Sequence, residues 1–414
     1  MIKVRKMLLA RKYKIQVSDE QKDVLWNISE QCRLVYNNAL SERKSAWENE
    51  NRSVKYIEQQ NKLPELKKQY PNINIVYSKT LQGVLKKLDA NYKSFFGLWK
   101  KGNKDARPPK FKGKKYFFTI PYNQSGFKIT DNTVTFSHKY NNIKLSFEIP
   151  DDLQETKIKQ WEIYNTILYK SSGDFYLSCI IEIPVIKKYV DNNKYQAIDL
   201  GISKIVTAIN SDCKFFESIN PRPDKYWNPK IDAIKSRRDH CKKGSTRWKR
   251  LHASYRKMQR KSNNQIKDYQ HKLSKTMIEN TKANTIIVGD LNVKNMGKSK
   301  IKALNRSTQN NGYLSRFIEF LTYKAEFAGK KTIKIDESYT SKTCCSCGKQ
   351  HTMPLNQREM ICDCGNNIDR DRNSSINIMM RYLSQNAIWT GYQDFLDNLQ
   401  TELQLVVTCK NLHA

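Results

Sequence analysis

Tyr195-Gln-Ala-Ile-Asp199, followed by Leu200-Gly201-Ile202, reads as a short buried strand that ends in a carboxylate and turns on a glycine. A second strand-like run, Ile205 to Ile209, comes directly after it. One Asp at a strand end is most often a turn former or a helix cap. It gains weight only if distant carboxylates can be set beside it. Downstream, Thr285-Ile-Ile-Val-Gly289-Asp290-Leu291 forms a second buried strand and Thr332-Ile-Lys-Ile-Asp-Glu337 a third. Ile368-Asp-Arg-Asp371 then opens a helical run to Leu383 with acidic residues at its start.

Composition sets the partner. The 414 residues suit two to four domains. Seventy-four Lys and Arg stand against 40 Asp and Glu, a formal net charge of +34. Such an excess points to a polyanion, because each cation that meets a phosphate releases condensed counterions. No apolar run approaches the roughly 20 residues needed to span a bilayer, and Met1-Ile2-Lys3-Val4-Arg5 does not open a signal peptide. No membrane partner is expected, and a reduced cytoplasm is the default location. Cys32, Cys179, Cys213, Cys241 and Cys409 are solitary, whereas five cysteines cluster between 344 and 364. Cys344-x-x-Cys347 and Cys362-x-Cys364 bracket a 14-residue loop. Two thiolate pairs so spaced suit a tetrahedral structural zinc in a ribbon, with no open position for catalysis. Cys345 is read as spare, although an exchange with Cys344 stays open.

Upstream, residues 7–17 alternate as a strand, and Ser18-Asp-Glu-Gln21 fits a capping box. Leu25, Ile28, Cys32, Leu34, Val35 and Leu40 repeat at helical spacing, with further helical stretches at about 54–69 and 79–99. A small helical bundle over 20–100 is the modest reading. Residues 100–115 are basic, and Pro108-Pro109 forbids helix. Phe111, Tyr116, Phe117 and Phe118 interleave with Lys110 and Lys112, which suits phosphate contacts with base stacking. A solvated linker is the plainer alternative. Strands are read at 127–129, 133–136, 143–149, 158–168 and 175–183. They suggest a barrel or sandwich that closes with the N-terminal strand and carries the helical bundle as an insertion. A long helical stretch from about Asn228 to Lys282 is densely basic and includes Arg247 and Arg250. Its near-single sign favours a nucleic-acid surface. Gly244-Ser245 and Ser262-Asn263-Asn264 are expected to break it. A basic loop, Lys294 to Arg306, precedes an amphipathic helix through Leu314, Phe317, Phe320, Leu321 and Phe327. Ala387 to Val407 can form a last helix.

The order of strands and acids is like that of an RNase H-type sheet, in which acids from two strands and a final helix meet at one edge. Three carboxylates there bind two Mg²⁺ ions about 3.5–4 Å apart, and hard oxygen ligands select Mg²⁺ or Mn²⁺.

The chain resembles TnpB, the RNA-guided nuclease family of insertion sequences, whose relatives are the compact type V CRISPR effectors. The matching residues are Arg33-Leu-Val-Tyr-Asn37-Asn-Ala-Leu, Pro109-Lys-Phe-Lys112, Ala197-Ile-Asp199-Leu-Gly201, His271-Lys-Leu-Ser274 and Gly289-Asp-Leu291. Tyr339-Thr-Ser341-x-Thr-Cys344-x-x-Cys-Gly348 and Cys364-Gly-x-x-x-Asp369-Arg-Asp371-x-Asn373-x-x-x-Asn377 complete the set. The resemblance implies an α+β multidomain chain. A β-barrel wedge domain (1–20 and 105–190) would hold an inserted helical recognition bundle (21–104). An RNase H-like RuvC nuclease domain (191–340 and 366–385) would carry a zinc ribbon (341–365), with a tail at 386–414. It implies a guide RNA, a target DNA beside a short recognised motif, structural Zn²⁺, catalytic Mg²⁺, and a monomer with one RNA. Asp199 is then the first catalytic carboxylate and Asp371 the last, Asp369 a helix-start residue, and Gln82 a residue near the adjacent motif.

One departure matters. The family usually has Glu-Asp-Leu where this chain has Gly289-Asp290-Leu291. Glu337 is expected to take the missing role from the neighbouring strand end. Asp290 is an alternative, although strand alternation points it opposite to position 289. Loss of cleavage is the third reading, leaving a guided DNA-binding repressor. A CRISPR effector of the same fold is a further alternative.

Overall fold

The computed structural model describes residues 5–403 except 115, 124, 151, 152, 154–156, 166–173, 186, 291–312 and 355. The chain divides into two compact units, Met1–Pro184 and Val185–Ala414.

In the first unit, β1 (Arg5–Ile15) leads into α1 (Asp19–Glu50). The capping box forms as read, with the backbone N–H of Gln21 on Ser18 Oγ and that of Ser18 on Gln21 Oε1, each at 3.2 Å. Leu25, Ile28, Cys32, Val35 and Leu40 make the buried stripe of α1. Leu34 falls off that stripe and is exposed. The stretch 54–69 forms two short helices, α2 (Tyr56–Asn61) and α3 (Leu63–Gln69), and α4 (Ser78–Lys100) buries Leu81, Val84, Leu85 and Leu88. The strands are β2 (Ile120–Asn123), β3 (Phe127–Thr130), β4 (Thr133–Phe136), β5 (Leu145–Glu148), β6 (Lys157–Asn165) and β7 (Phe175–Val185). They make one sheet of order β1-β7-β6-β2 and another of order β3-β4-β5. β2 escaped the sequence reading because Pro121 sits inside it. The sheet tolerates that proline because β2 is an edge strand. Helices and sheets share one core around Trp161, Tyr36, Tyr122 and Phe118. The strand read as 158–168 ends at Asn165, and 166–168 lie outside the described residues.

The second unit is built on β8 (Tyr195–Asp199), with β9 (Lys204–Asn210), β10 (Phe215–Ile219), β11 (Thr285–Gly289) and β12 (Lys331–Ile335). The sheet order is β10-β9-β8-β11-β12. β8, β11 and β12 run parallel, and β9 and β10 are antiparallel. The central strands are buried on both faces, which explains their unbroken apolar runs. One face packs Ile198, Val206, Ile286 and Val288 against α6 (Thr246–Asn280) and α7 (Tyr313–Phe327). The other packs Ala197, Ile209 and Ile287 against α8 (Arg370–Gln385) and α9 (Trp389–Leu403). The expected break at Gly244-Ser245 is real. α5 (Pro223–Asp239) stops before it, Gly244 takes φ +89, and Ser245 Oγ caps α6. The expected break at Ser262-Asn263-Asn264 is absent. Ser and Asn cost only tenths of a kcal/mol in a helix interior, and the buried Ser262 packs within α6. The strand read to Glu337 ends at Ile335, and the last acid-bearing helix begins at Arg370, with Ile368 and Asp369 in a short strand. The basic loop 294–306 lies outside the described residues, as does 404–414 of the tail. No helix among the described residues is long and apolar enough to cross a membrane.

Candidate carboxylate and cysteine metal centres

Parallel pairing sets the first site. Val288 lies opposite Ile198, so Gly289 and Asp199 end adjacent strands side by side, while Gly289 pairs with Ile335. Alternation puts Asp199 on the face of Ala197 and Gly289 on the face of Ile287, which is the face that α8 covers. Glu337 comes two residues after Ile335, and its side chain folds back over Gly289. A Cβ added at Gly289 would run into Glu337 Oε2 and stand 3.0 Å from the Cβ and Cδ of Glu337. From above, α8 contributes Asp371, and Ser374 Oγ donates to Asp199 Oδ1 at 3.0 Å. Asp369 caps α8 by accepting the N–H groups of Asp371 and Arg372, the helix-start role read for it. Asp290 points away. It is exposed, with its carboxylate 3.5 Å from Lys334 Nζ.

Electrostatics show three acids without enough cation. Burial, then the charges of Asp371 and Glu337, push Asp199 up to about 8 against the Ser374 hydrogen bond. Burial, then Asp290 and Asp336, push Glu337 up to about 7. Burial and then Asp369 raise Asp371. Glu337 Oε2 is buried with no hydrogen-bond partner. Hard oxygens, mutual repulsion and an orphaned buried carboxylate oxygen together fit a divalent cation. The three acids are nevertheless spread. Among the described residues, the four cysteines are the one group of three or more His, Cys, Asp or Glu whose ligand atoms all lie within 4.8 Å of one another.

Those cysteines are Cys344 and Cys347, in the turn closed by the Thr343–Gln350 bridge, and Cys362 and Cys364, in the turn between β13 (Glu359–Ile361) and β14 (Asn367–Asp369). Cys344 and Cys364 Sγ are 3.7 Å apart, and Cys347 and Cys362 Sγ 3.5 Å. A tetrahedron with Zn–S bonds of about 2.3 Å has edges of about 3.8 Å, so the cage fits zinc. Burial raises the Cys344 thiol, but Asn366 Nδ2 at 3.2 Å and backbone N–H groups outweigh it and hold the group at about 7. Cys345 faces the core, and burial pushes it up to about 12, so it is the spare thiol. His351 escaped the sequence reading. Its Nε2 lies 3.2 Å from Cys362 Sγ, and no spacing rule would have singled it out.

The candidate nucleic-acid residues are placed separately. Lys110, Arg247 and Arg250 are exposed. Lys112 is pinned by its backbone. Its carbonyl accepts from Arg33 Nη1 and Asn37 Nδ2, both at 2.9 Å, and its N–H donates to Asn37 Oδ1 at 2.8 Å. Two motifs distant in sequence thus grip each other. Gln82 is half-buried on α4, two residues after Thr80, whose hydroxyl donates to the Pro121 carbonyl at 2.7 Å. The His271-Lys-Leu-Ser274 motif serves packing. The His271 ring stacks on Phe320 of α7 at 3.8 Å, and Lys324 Nζ donates to Ser274 Oγ at 2.7 Å.

Family models match three parts of the chain. They are described as "Helix-turn-helix domain" over residues 7–52, "Probable transposase" over 178–300 and "Cas12f1-like, TNB domain" over 315–378. Over 7–52 the chain forms a strand and one 32-residue helix, with no turn between two helices. A Streptomyces pristinaespiralis protein named "Putative RNA-guided DNA endonuclease" is 27% identical over 410 residues, covering 95% of this chain and 94% of its own length. The Escherichia coli (strain K12) protein "Putative RNA-guided DNA endonuclease InsQ" is 25% identical, covering 85% and 86%. A solved Cas12f1–sgRNA–target DNA complex shares the fold at TM-score 0.61 and 16% identity, over 87% of this chain and 83% of that one. Family models over three parts of the chain, and relatives matched along nearly their whole length, agree with the resemblance of its motifs to TnpB proteins.

Proposed function

We propose that the chain is an RNA-guided DNA endonuclease of the transposon type. Its second unit is read as an RNase H-like RuvC nuclease, supported by the mixed sheet with a central β8 and by acids at the ends of β8, beyond β12 and on α8. Its first unit is read as a wedge barrel with inserted recognition helices that holds the guide RNA and reads a short motif beside the target, with Gln82 near that motif. Lys110, Lys112, Arg247 and Arg250 hold phosphates. Base pairing selects the target, and the protein reads duplex shape. A monomer with one RNA is the expected assembly.

The single observation that carries the catalytic reading is the volume over Gly289. Where the family pattern has a Glu side chain, this chain has none, and the Glu337 carboxylate fills the space. Asp199, Glu337 and Asp371 would hold Mg²⁺. Their spread beyond 4.8 Å suits ligands divided between two ions better than ligands gathered on one. Bound there, Mg²⁺ would supply an activated water and charge stabilisation at the leaving oxygen. The chain's own residues set the stage. Asp199 must be ionised to serve, and Ser374 holds it by one oxygen. Helix α8 fixes Asp371 through the Asp369 cap, and the bare Gly289 leaves room for Glu337.

The test is a swap. Full-length chain with its co-purifying RNA is incubated with matched DNA and Mg²⁺. Glu337→Gln should abolish cutting, and Gly289→Glu alone should impair it by collision. Gly289→Glu with Glu337→Gly should restore it. Parent-rate cutting by Glu337→Gln would remove Glu337 from the site. A second reading, guided binding without cleavage, is favoured by the missing acid at 289. It would be upheld if the parent bound matched DNA and never cut it with Mg²⁺.

A further inference from the structure

We propose that Ser374 is a positioning residue that ties the Asp199 carboxylate, through Thr340, to the backbone that carries Glu337. Its Oγ donates to Asp199 Oδ1 at 3.0 Å and lies 3.0 Å from Thr340 Oγ1. Thr340 Oγ1 in turn donates to the carbonyl of Glu337 at 2.8 Å. Each hydroxyl has one proton to give, and an ionised carboxylate has none. Once Asp199 is ionised, as a ligand must be, the Ser374 proton goes to it and the Thr340 proton is shared between the Glu337 carbonyl and Ser374. The link runs from the segment after β12, through α8, to the end of β8. Ser374 stands one helical turn beyond Asp371, so one face of α8 carries both acid and lock. Ser374 and Thr340 are only 1% and 2% exposed, so water does not replace their partners.

The base of this lock is fixed from the cysteine side. Asn373 Nδ2 and Asn377 Nδ2 donate to the carbonyls of Thr340 and Thr343 at 2.7–3.2 Å. The Cys345 N–H donates to Asn373 Oδ1 at 2.9 Å. The residue before Cys344 and the residue that tethers Glu337 are thus held by the same two asparagines. Knuckle and carboxylates form one hydrogen-bonded block.

This inference rests on the reading of Asp199, Glu337 and Asp371 as ligands of a divalent cation. The test titrates the full-length chain, zinc retained and stripped of Mg²⁺, with Mn²⁺ by calorimetry. Ser374→Ala suits a helix and should keep the parent's zinc content and melting profile. It should weaken Mn²⁺ binding by about tenfold or more, the scale of losing a partner that orients a metal ligand. Ser374→Thr should restore most of the affinity. Thr340→Val should also weaken it, and the double variant should lose less than the product of the single losses. Parent affinity in Ser374→Ala would overturn the lock and leave the carboxylate reading standing. Independent, multiplicative losses would overturn the link through Thr340. Parent affinity in Asp199→Asn would overturn both the lock and the reading beneath it.

Discussion

The second unit holds two clusters of side chains able to ligate metal, built in opposite ways. The cysteine cage gathers two turns within residues 344–364, its thiols within 4.8 Å of one another. The carboxylates come from residues 199, 337 and 371, from two strand ends and a helix, and stand further apart. The cage is closed and has hydrogen bonds aimed at its sulfurs. The carboxylate cluster is half-open, is raised in pKa and keeps one buried oxygen without a partner. A structural site minimises its unpaired polar atoms, whereas a working site retains them for what it will bind. The difference teaches that local spacing can gather four thiols, while three acids so far apart in sequence meet only through the whole sheet.

The contrast breaks first at the acids. Asp199→Asn and Asp371→Asn should cut DNA cleavage on the order of 10³-fold or more, as expected for members of one catalytic unit. Asp290→Ala, which loses only an exposed ion pair, should stay within about twofold. Rates on matched DNA decide both. Next in size, Gly289→Ala should lower the cleavage rate on the order of 10–100-fold, because its methyl displaces the Glu337 carboxylate. Cys364→Ser should drop bound zinc from one per chain to near zero and lower the melting temperature, by metal analysis and calorimetry.

A smaller effect comes from pH. The folded pKa values of Asp199 and Glu337, about 8 and about 7, lie above the ordinary carboxylate value of about 4. The folded chain therefore binds more protons than the unfolded chain across that window. Stability is full below about pH 4 for these two groups and is lost as pH rises through 7 and 8. Without divalent ions, the contribution of these two groups to the melting temperature should fall from about pH 4 to about pH 8, and added Mg²⁺ should flatten the fall. Smallest is the pair Arg247→Ala and Arg250→Ala. Nucleic-acid affinity should weaken without regard to sequence, and the slope of log K against log salt should shrink by about 2.

Much of this was legible in the residues. The cage follows from Cys-x-x-Cys and Cys-x-Cys spacing, and the capping box at Ser18 and Gln21 is local chemistry. Buried strands announced themselves as apolar runs. Other features were not legible. Pro121 hid an edge strand, and Ser262-Asn263-Asn264 mimicked a break inside a helix that runs unbroken from Thr246 to Asn280. His351 beside Cys362 and Ser374 on Asp199 carry no motif of their own.

By itself, the sequence determined the strongly basic charge, the clustering of the thiols and the order of strands and acids, because charge, short spacing and hydrophobic period are local properties. It also showed a hole at position 289. Only the tertiary structure decided what fills that hole. Parallel pairing sets Gly289 opposite Ile335, and the absent Cβ leaves a volume that the Glu337 side chain, two residues further on, is long enough to enter.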